Sequence, residues 1–405
     1  MRIAFVCYWD ARRPDGVTQK VASQLAQWRS HGHEAELFLL GPRAGADSEI
    51  VLAGRTFTFA GPLDRVRQTR ALYAAAGAFR PDVAYIRYDL FLPPPLALSR
   101  RLPTVIEVNS DFRAELAARH PAAALYGRLQ EPLVERAAAA AICVTYELAE
   151  RLRRRAPALP IRVISNGIAF DGVSSAAPAA GPVRVLYIGD DVYWQGVDKI
   201  FELAAALPAW RFDLVGVDRA RSAANVVCHG FLPPPECEPL LAGADVGLGT
   251  LALHRKHMNE ACALKVRRYL ARGLPVIIGH RDTDFLAAEP WFLLRLPNDE
   301  ANVRTGTERI RRFVESVRGR RVAREEVQPL LDVAVKERER LDYLEEIVAG
   351  WAARGRVAQG SRWRPFVVPG RPGHPHDRSP PPAESLPAPE SSTRRETHEA
   401  DGRGD

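Results

Sequence analysis

The sequence predicts an α/β protein of two similar domains, each a parallel sheet wrapped by helices, with a ligand cleft between them. Three observations predict it. Short apolar runs alternate with helical patterns up to Ile164; the same alternation restarts at Val183; and a stretch of small residues and prolines without periodicity, 171–182, separates them. Strands that alternate with helices imply parallel sheets with right-handed crossovers, and two such Rossmann-like halves place their ligand between them.

In the first half the expected strands are Arg2 to Cys7, Glu34 to Leu40, Val83 to Arg87, Thr104 to Val108, Ala141 to Thr145 and Arg162 to Ile164. Each is a short β-branched or aromatic run between polar or turn-forming residues. Val17 to Ser30 reads as a helix because Val17, Val21, Leu25 and Trp28 recur on one face, and Arg65 to Phe79 reads likewise. The second half gives strands Val183 to Ile188, Arg211 to Val215, Asn225 to Cys228, Asp245 to Gly249 and Pro275 to Ile278. Its helices are Val197 to Leu207, Pro235 to Ala242 and Leu264 to Arg272. A charge-patterned helical region follows from about Glu300 to Ala353, and the Pro-, Ser- and Arg-rich remainder reads as a disordered tail. The expected domains are therefore 1–170, a linker 171–182, 183–353 and a tail 354–405. The terminal Arg403-Gly404-Asp405 tripeptide is read as chance.

Composition narrows the function classes. A hydrophobic share of 46% is that of a globular protein, and no apolar run approaches the roughly 18 residues of a membrane span. The N-terminus reads as a first strand rather than a signal peptide. Five scattered cysteines without a C-x-x-C pair suit a reducing cytoplasm, with Cys7, Cys143 and Cys228 as small buried hydrophobes. The formal charge of +7 resides in residues 1–170, where 23 Lys and Arg face 16 Asp and Glu. Such a surplus suits a solvated surface, an anionic acceptor or peripheral contact with the inner face of a membrane; no motif supports a nucleic-acid partner.

The segment from Ala244 to Ile278 holds the most chemistry: buried strand, polar loop with Glu260, helix, tight Gly turn, buried strand. A carboxylate in a loop that leads into a helix, beyond the carboxyl end of a parallel strand, lies where open α/β sheets bind ligands. The backbone N–H groups of Ala263, Leu264 and Lys265 would open that helix toward an anion, with Arg255, Lys256 and Lys265 adding charge. Glu260 could accept from sugar hydroxyls or cap the helix. Gly16, between the first strand and first helix, would let backbone approach a ligand. Arg87 and Asn109, each just beyond a strand, would face the cleft from the first domain. His254 and His257 lack a third ligand, so no metal and no cofactor are expected. The absence of a full G-x-G-x-x-G disfavours a dinucleotide oxidoreductase, and there is no serine nucleophile elbow.

The segment Ala244 to Ile278 resembles the signature region of the retaining GT-B glycosyltransferases of family 4, also called glycosyl transferases group 1. So do, in order, Asp15 to Lys20, Val163 to Ile168, Trp194 to Lys199 and His229 to Phe231, a likeness over roughly residues 1–350. The resemblance implies an acceptor-binding N-terminal domain and a C-terminal domain that binds a nucleotide-sugar as co-substrate, without metal. It implies that Glu260 is the first Glu of an E-x7-E motif and contacts the sugar, that Ala263 and Leu264 give N–H groups to the diphosphate, and that Gly16 lies against the donor. The second Glu of the motif, the ribose-holding one, falls at Arg268. The phosphate-binding Arg and Lys fall at Asp190 and Gln195, and the cleft His falls at Asn109. Arg255, Lys256, Lys265 or Arg268 could restore the positive charge. Three readings follow: a glycosyltransferase acting on a glycan, lipid-linked or small acceptor; a non-catalytic binding or assembly protein of the same fold; a sugar epimerase.

Overall fold

A computed structural model describes residues 1–11, 15–43, 52–119, 121–170, 181–218, 223–287 and 289–357. The first domain comprises β1 (Arg2–Tyr8), α1 (Gly16–Ser30), β2 (Glu34–Pro42), β3 (Arg55–Phe59), α2 (Pro62–Ala78), β4 (Val83–Arg87) and α3 (Leu96–Ser99). It continues with β5 (Thr104–Val108), α4 (Phe112–Arg119), α5 (Pro121–Ala137), β6 (Ala140–Cys143), α6 (Tyr146–Arg155) and β7 (Ile161–Val163). Its strands form one parallel sheet in the order β3-β2-β1-β4-β5-β6-β7.

The second domain comprises β8 (Arg184–Ile188), α7 (Val197–Ala206), β9 (Arg211–Val215), β10 (Val226–Gly230), α8 (Pro234–Gly243), β11 (Val246–Leu248), a 3-10 turn (Leu253–Lys256), β12 (Glu260–Ala261) and α9 (Leu264–Ala271). After these come β13 (Val276–Ile278), β14 (Arg281–Asp282), β15 (Leu293–Arg295), α10 (Asn302–Val317), α11 (Arg324–Leu331) and α12 (Val333–Val357). The main sheet runs β10-β9-β8-β11-β13-β15, and β12 pairs with β14 apart from it. The expected α/β class with two Rossmann-like sheets is what the chain forms.

Strand alternation builds each core. In β1, Ala4 and Val6 pack on one face while Ile3, Phe5 and Cys7 pack on the other; in β13, Ile277 faces one way and Val276 and Ile278 the other. Both faces of each sheet are thus covered, as parallel sheets require. Helix α1 starts where Asp15 accepts the Thr18 N–H at 2.8 Å and ends at Gly32, whose φ of +81° suits glycine. Val21, Leu25 and Trp28 are its buried face.

The order of each sheet sets where a ligand belongs. Chain progression reverses between β1 and β4 in the first sheet and between β8 and β11 in the second, and crevices open at the carboxyl ends of such strand pairs. Residues 253, 258 and 262 of the second domain join the first domain's core through Leu253, Met258 and Cys262.

Several elements differ from expectation. Strand β3, the helices between β5 and β6, and β15 have short or weakly periodic sequences and were not anticipated. Glu260 lies in the short strand β12 rather than in a loop. Helix α12, expected with the second domain, packs on the first: Leu341, Tyr343, Leu344 and Ile347 enter its core, and Trp28 Nε1 donates to Glu337 at 2.8 Å. It continues to Val357, so 354–357 are helical, whereas the rest of the expected tail, with Arg403-Gly404-Asp405, lies outside the described residues. Residues 171–180 of the expected linker also lie outside them. The five cysteines, all among the described residues, form no disulfide.

Candidate functional site

The second domain's crevice is built from the end of β8 and the start of α9. Helix α9 begins at Ala263 with no side-chain cap, which leaves its first-turn N–H groups to an outside acceptor. Tyr269 fixes the helix from below: its buried ring lies where a Cβ on Gly247 would stand, and its hydroxyl accepts the Ile188 N–H at 2.7 Å. Lys265, in the first turn of α9, lies 4.0 Å over the Tyr187 ring and donates to Gln195 Oε1 at 2.9 Å. Gln195 Oε1 also accepts from Thr250 Oγ1 at 2.8 Å, just beyond β11. Loss of solvation pulls the Lys265 ammonium down to about 7, against the pull of Asp190. Gly189, with φ of +156°, gives it room, because a Cβ there would collide with Lys265 Nζ. The helix N-terminus and one poorly solvated cation therefore converge at the β8/β11 switch point. That pairing can hold a diphosphate.

The other cations lie elsewhere. Arg255 is enclosed by acids: it donates to Asp198 Oδ1 and Oδ2 at 2.9 and 2.7 Å and to Glu300 Oε2 at 3.0 Å. Lys256 reaches into the first domain, to Glu115 Oε1 at 2.5 Å and to Ser110 Oγ. Arg268 donates to the Pro234 carbonyl at 3.1 Å and to Glu238 Oε1 at 3.2 Å, turned toward α8. Of the four expected compensating charges, Arg255, Lys256 and Arg268 are each bound to a carboxylate, whereas Lys265 forms no salt bridge among the described residues. His254 Nε2 contacts Glu300 Oε2 at 2.7 Å and His257 is exposed. Among the described residues no group of three His, Cys, Asp or Glu side chains is arranged for a metal.

Glu260 is buried, and its carboxylate reaches across to the first domain. Oε1 accepts the Tyr146 N–H and Oε2 the Glu147 N–H, both at 3.0 Å, which caps the N-terminus of α6. In return Glu147 Oε2 accepts the N–H groups of Asn259 and Glu260, each at 2.8 Å. Burial raises the Glu260 carboxyl above its usual range, the two backbone donors opposing that rise. A carboxylate has about four acceptor positions; two take these N–H groups and the neighbouring Thr283 hydroxyl also acts on the carboxylate. Of the two roles read from sequence, capping is the one these contacts satisfy, but the helix capped is α6 and not α9.

The first domain contributes Gly16, Arg87 and Asn109. A Cβ on Gly16 would lie 3.4 Å from Leu264 Cδ1, so the start of α1 faces the start of α9. Arg87 leaves the end of β4 and stacks 5.3 Å from the Trp9 ring, at the β1/β4 switch point; its Nε is buried without a partner. Asn109 belongs to a buried charge network: Lys20 Nζ donates to Asn109 Oδ1 at 2.6 Å and to Glu107 Oε1 at 2.8 Å, and Asn109 Nδ2 donates to Glu107 Oε2 at 2.9 Å. Arg340 of α12 lies 3.6 Å from Glu107 and pairs with Glu337. Burial alone would raise the Glu107 carboxyl, but Lys20, Arg340 and Arg87 hold it well below the usual range.

Glu147 and Glu107 were not anticipated as site residues. Glu147 had a signal, since Thr145 caps α6 through the Leu148 N–H at 3.1 Å and an acid in the first turn marks a helix start. Nothing local could pair it with residues more than a hundred positions away. The Ser165-Asn166-Gly167 motif seats the link between β12 and α9: the Asn166 N–H donates to Cys262 Sγ at 3.0 Å and Asn166 Nδ2 to the Cys262 carbonyl at 2.9 Å.

Two parallel sheets, each with its switch point turned to a shared cleft, define the GT-B class of α/β proteins. Residues 14–171, within the first domain and on into the segment after it, match the sequence family described as Glycosyltransferase Family 4. Solved structures agree on the fold. A sucrose-phosphate synthase from Thermosynechococcus elongatus superposes with a TM-score of 0.68 at 17% identity, covering 86% of this chain and 99% of that one. Anabaena HepE in complex with UDP-glucose gives 0.60 at 14% identity, with 85% and 100% covered. A glycosyltransferase from Rickettsia africae gives 0.58 at 12% identity, with 86% and 98% covered. No curated protein matches in sequence.

Proposed function

We propose that the protein is a retaining, metal-independent glycosyltransferase that moves a hexose from a nucleotide-sugar donor to a hydroxyl of a glycan, lipid-linked or small acceptor. The observation that carries this reading is the uncapped N-terminus of α9 with Lys265 beside it, facing Gly16 of the other domain. The binding of UDP-glucose by a protein of the same fold supports it. A cytoplasmic setting and a role in polysaccharide assembly belong to the same proposal.

The donor diphosphate would accept from the Ala263, Leu264 and Lys265 N–H groups and pair with the Lys265 ammonium. These donors stabilise the charge that grows as the bond between the anomeric carbon and the diphosphate oxygen breaks. The acceptor oxygen forms its bond on the same face, and its proton passes to the departing phosphate oxygen. Glu260 would use its remaining lone pairs to orient the sugar while it holds α6, and Arg87 would face the cleft from the acceptor side. Catalysis would then come from positioning and electrostatics, without an enzyme nucleophile.

A second reading is a non-catalytic binding protein. The pairing of Arg268 with Glu238 and the engagement of Glu260 as a helix cap favour it. Purified protein incubated with UDP-, GDP-, ADP- and TDP-sugars separates the readings. Release of nucleoside diphosphate that requires an acceptor supports transfer; donor turnover without acceptor indicates an epimerase; binding without turnover supports the second reading.

A further inference from the structure

Helix α5 buries one face and leaves the other bare. Its inner side carries Ala124, Gly127, Gln130, Glu131, Val134 and Glu135, against α4 and the strand ends. Gln130 Nε2 donates to the Asp89 carbonyl at 2.9 Å and Tyr126 Oη to the Phe91 carbonyl at 3.0 Å, which fixes the helix's rotation. The outer side presents Leu125, Leu129 and Leu133, exposed by 61, 64 and 46%. Spaced four residues apart, they form one stripe. A lone exposed leucine needs no explanation, but three aligned on one helix mark an interaction surface.

The polar residues around the stripe identify its partner. Arg128 and Arg136 are exposed on the same face, and Arg100 and Arg101 at the end of α3 are exposed as well, Arg100 sharing a groove with Leu133 and Arg136. The acids of α5, Glu131 and Glu135, are both buried inward. The face therefore combines apolar and cationic groups without an exposed carboxylate of its own, within a domain that already holds the chain's positive surplus. Leucines flanked by arginines complement an anionic lipid surface, whose headgroups attract the guanidinium groups while the acyl boundary takes the leucines. Pro132, also exposed, has no N–H to give the Arg128 carbonyl, and a carbonyl freed in this way suits the wet headgroup level better than the hydrocarbon interior.

We propose that the outer face of α5 seats the protein on an anionic bilayer as a peripheral, in-plane contact. This contact does not depend on the transferase reading. The test is co-sedimentation of the full chain with vesicles of phosphatidylcholine alone or of equal parts phosphatidylcholine and phosphatidylglycerol. The expected result is binding to the anionic vesicles at least about tenfold stronger than to the neutral ones, weakened by salt near 1 M, where the Debye length falls to about 3 Å. Leu125→Ser/Leu129→Ser/Leu133→Ser and, separately, Arg128→Glu/Arg136→Glu should each lower it about tenfold or more while the circular-dichroism melt stays that of the parent. Equal binding to both vesicles, no binding, or unchanged binding by the leucine variant would overturn the proposal. So would absent vesicle binding with self-association that the leucine variant abolishes, which would make the stripe a contact between copies.

Discussion

Glu260 and Glu147 cap each other's backbone across the cleft. Each carboxylate accepts two N–H groups from the segment that carries the other, at 3.0 Å in one direction and 2.8 Å in the reverse. The loop that leads into α9 is thereby fixed to the N-terminus of α6. Glu260→Ala should cost about 0.5–2 kcal/mol in urea unfolding, the range for a lost helix cap, and Glu147→Ala about 1–3 kcal/mol, the range for hydrogen bonds to a charged group left unmade. Because both carboxylates tie the same two segments together, the double mutant should fall short of the sum by at least about 0.5 kcal/mol. Additive costs would show that the two caps act independently.

Lys265 should make donor binding sensitive to pH near neutrality. Its ammonium lies at about 7, so the cationic form that attracts a diphosphate prevails below that point and the neutral form above it. Donor affinity measured by calorimetry should fall as pH rises from about 6 to 9, by at most about tenfold per unit. Lys265→Met should bind weakly and without that slope.

Arg255 provides the contrasting case. Its guanidinium is already balanced by Asp198 and Glu300, so Arg255→Ala should leave donor affinity within about threefold. Its effect should appear instead as a modest loss of thermal stability, about 1 kcal/mol or less, because the pair is partly exposed. A loss of donor affinity equal to that of Lys265→Met would contradict the assignment.

The Glu107 network predicts an acid-sensitive first domain. A carboxyl held below its unfolded value leaves the unfolded chain with more bound protons in acid. Stability therefore rises with pH there, is fully present above the ordinary carboxylate range, and is lost as pH falls toward the folded value. Arg340→Met removes one of its cations and should cost about 3–5 kcal/mol, as expected when a buried charge loses its partner. Glu107→Gln should flatten the acid limb of a stability-against-pH curve.

The alternation of apolar runs and helical patterns made both sheets legible from sequence, since the parallel strands are buried on both faces and read as continuous apolar segments. Strand β15 went unread although β7, β11 and β13, equally short, were anticipated. Gly16, Ala263 and Lys265 were legible because helix starts after strands have local signals. Arg255, Lys256 and Arg268 were legible only as charges; whether a cation is free depends on acids such as Asp198, Glu115 and Glu238, which only the folded chain brings near. The exchange of α12 onto the first sheet was hidden for the same reason, since its apolar face shows that it is buried but not against what.

A nucleotide-sugar bound at the start of α9 should depend on Lys265 as its cation. Calorimetry of the parent and Lys265→Met against UDP-, GDP-, ADP- and TDP-sugars tests it most directly. At least one donor should bind the parent, and the substitution should weaken that binding by about tenfold or more. Binding of none of them, or equal binding by both proteins, would contradict it.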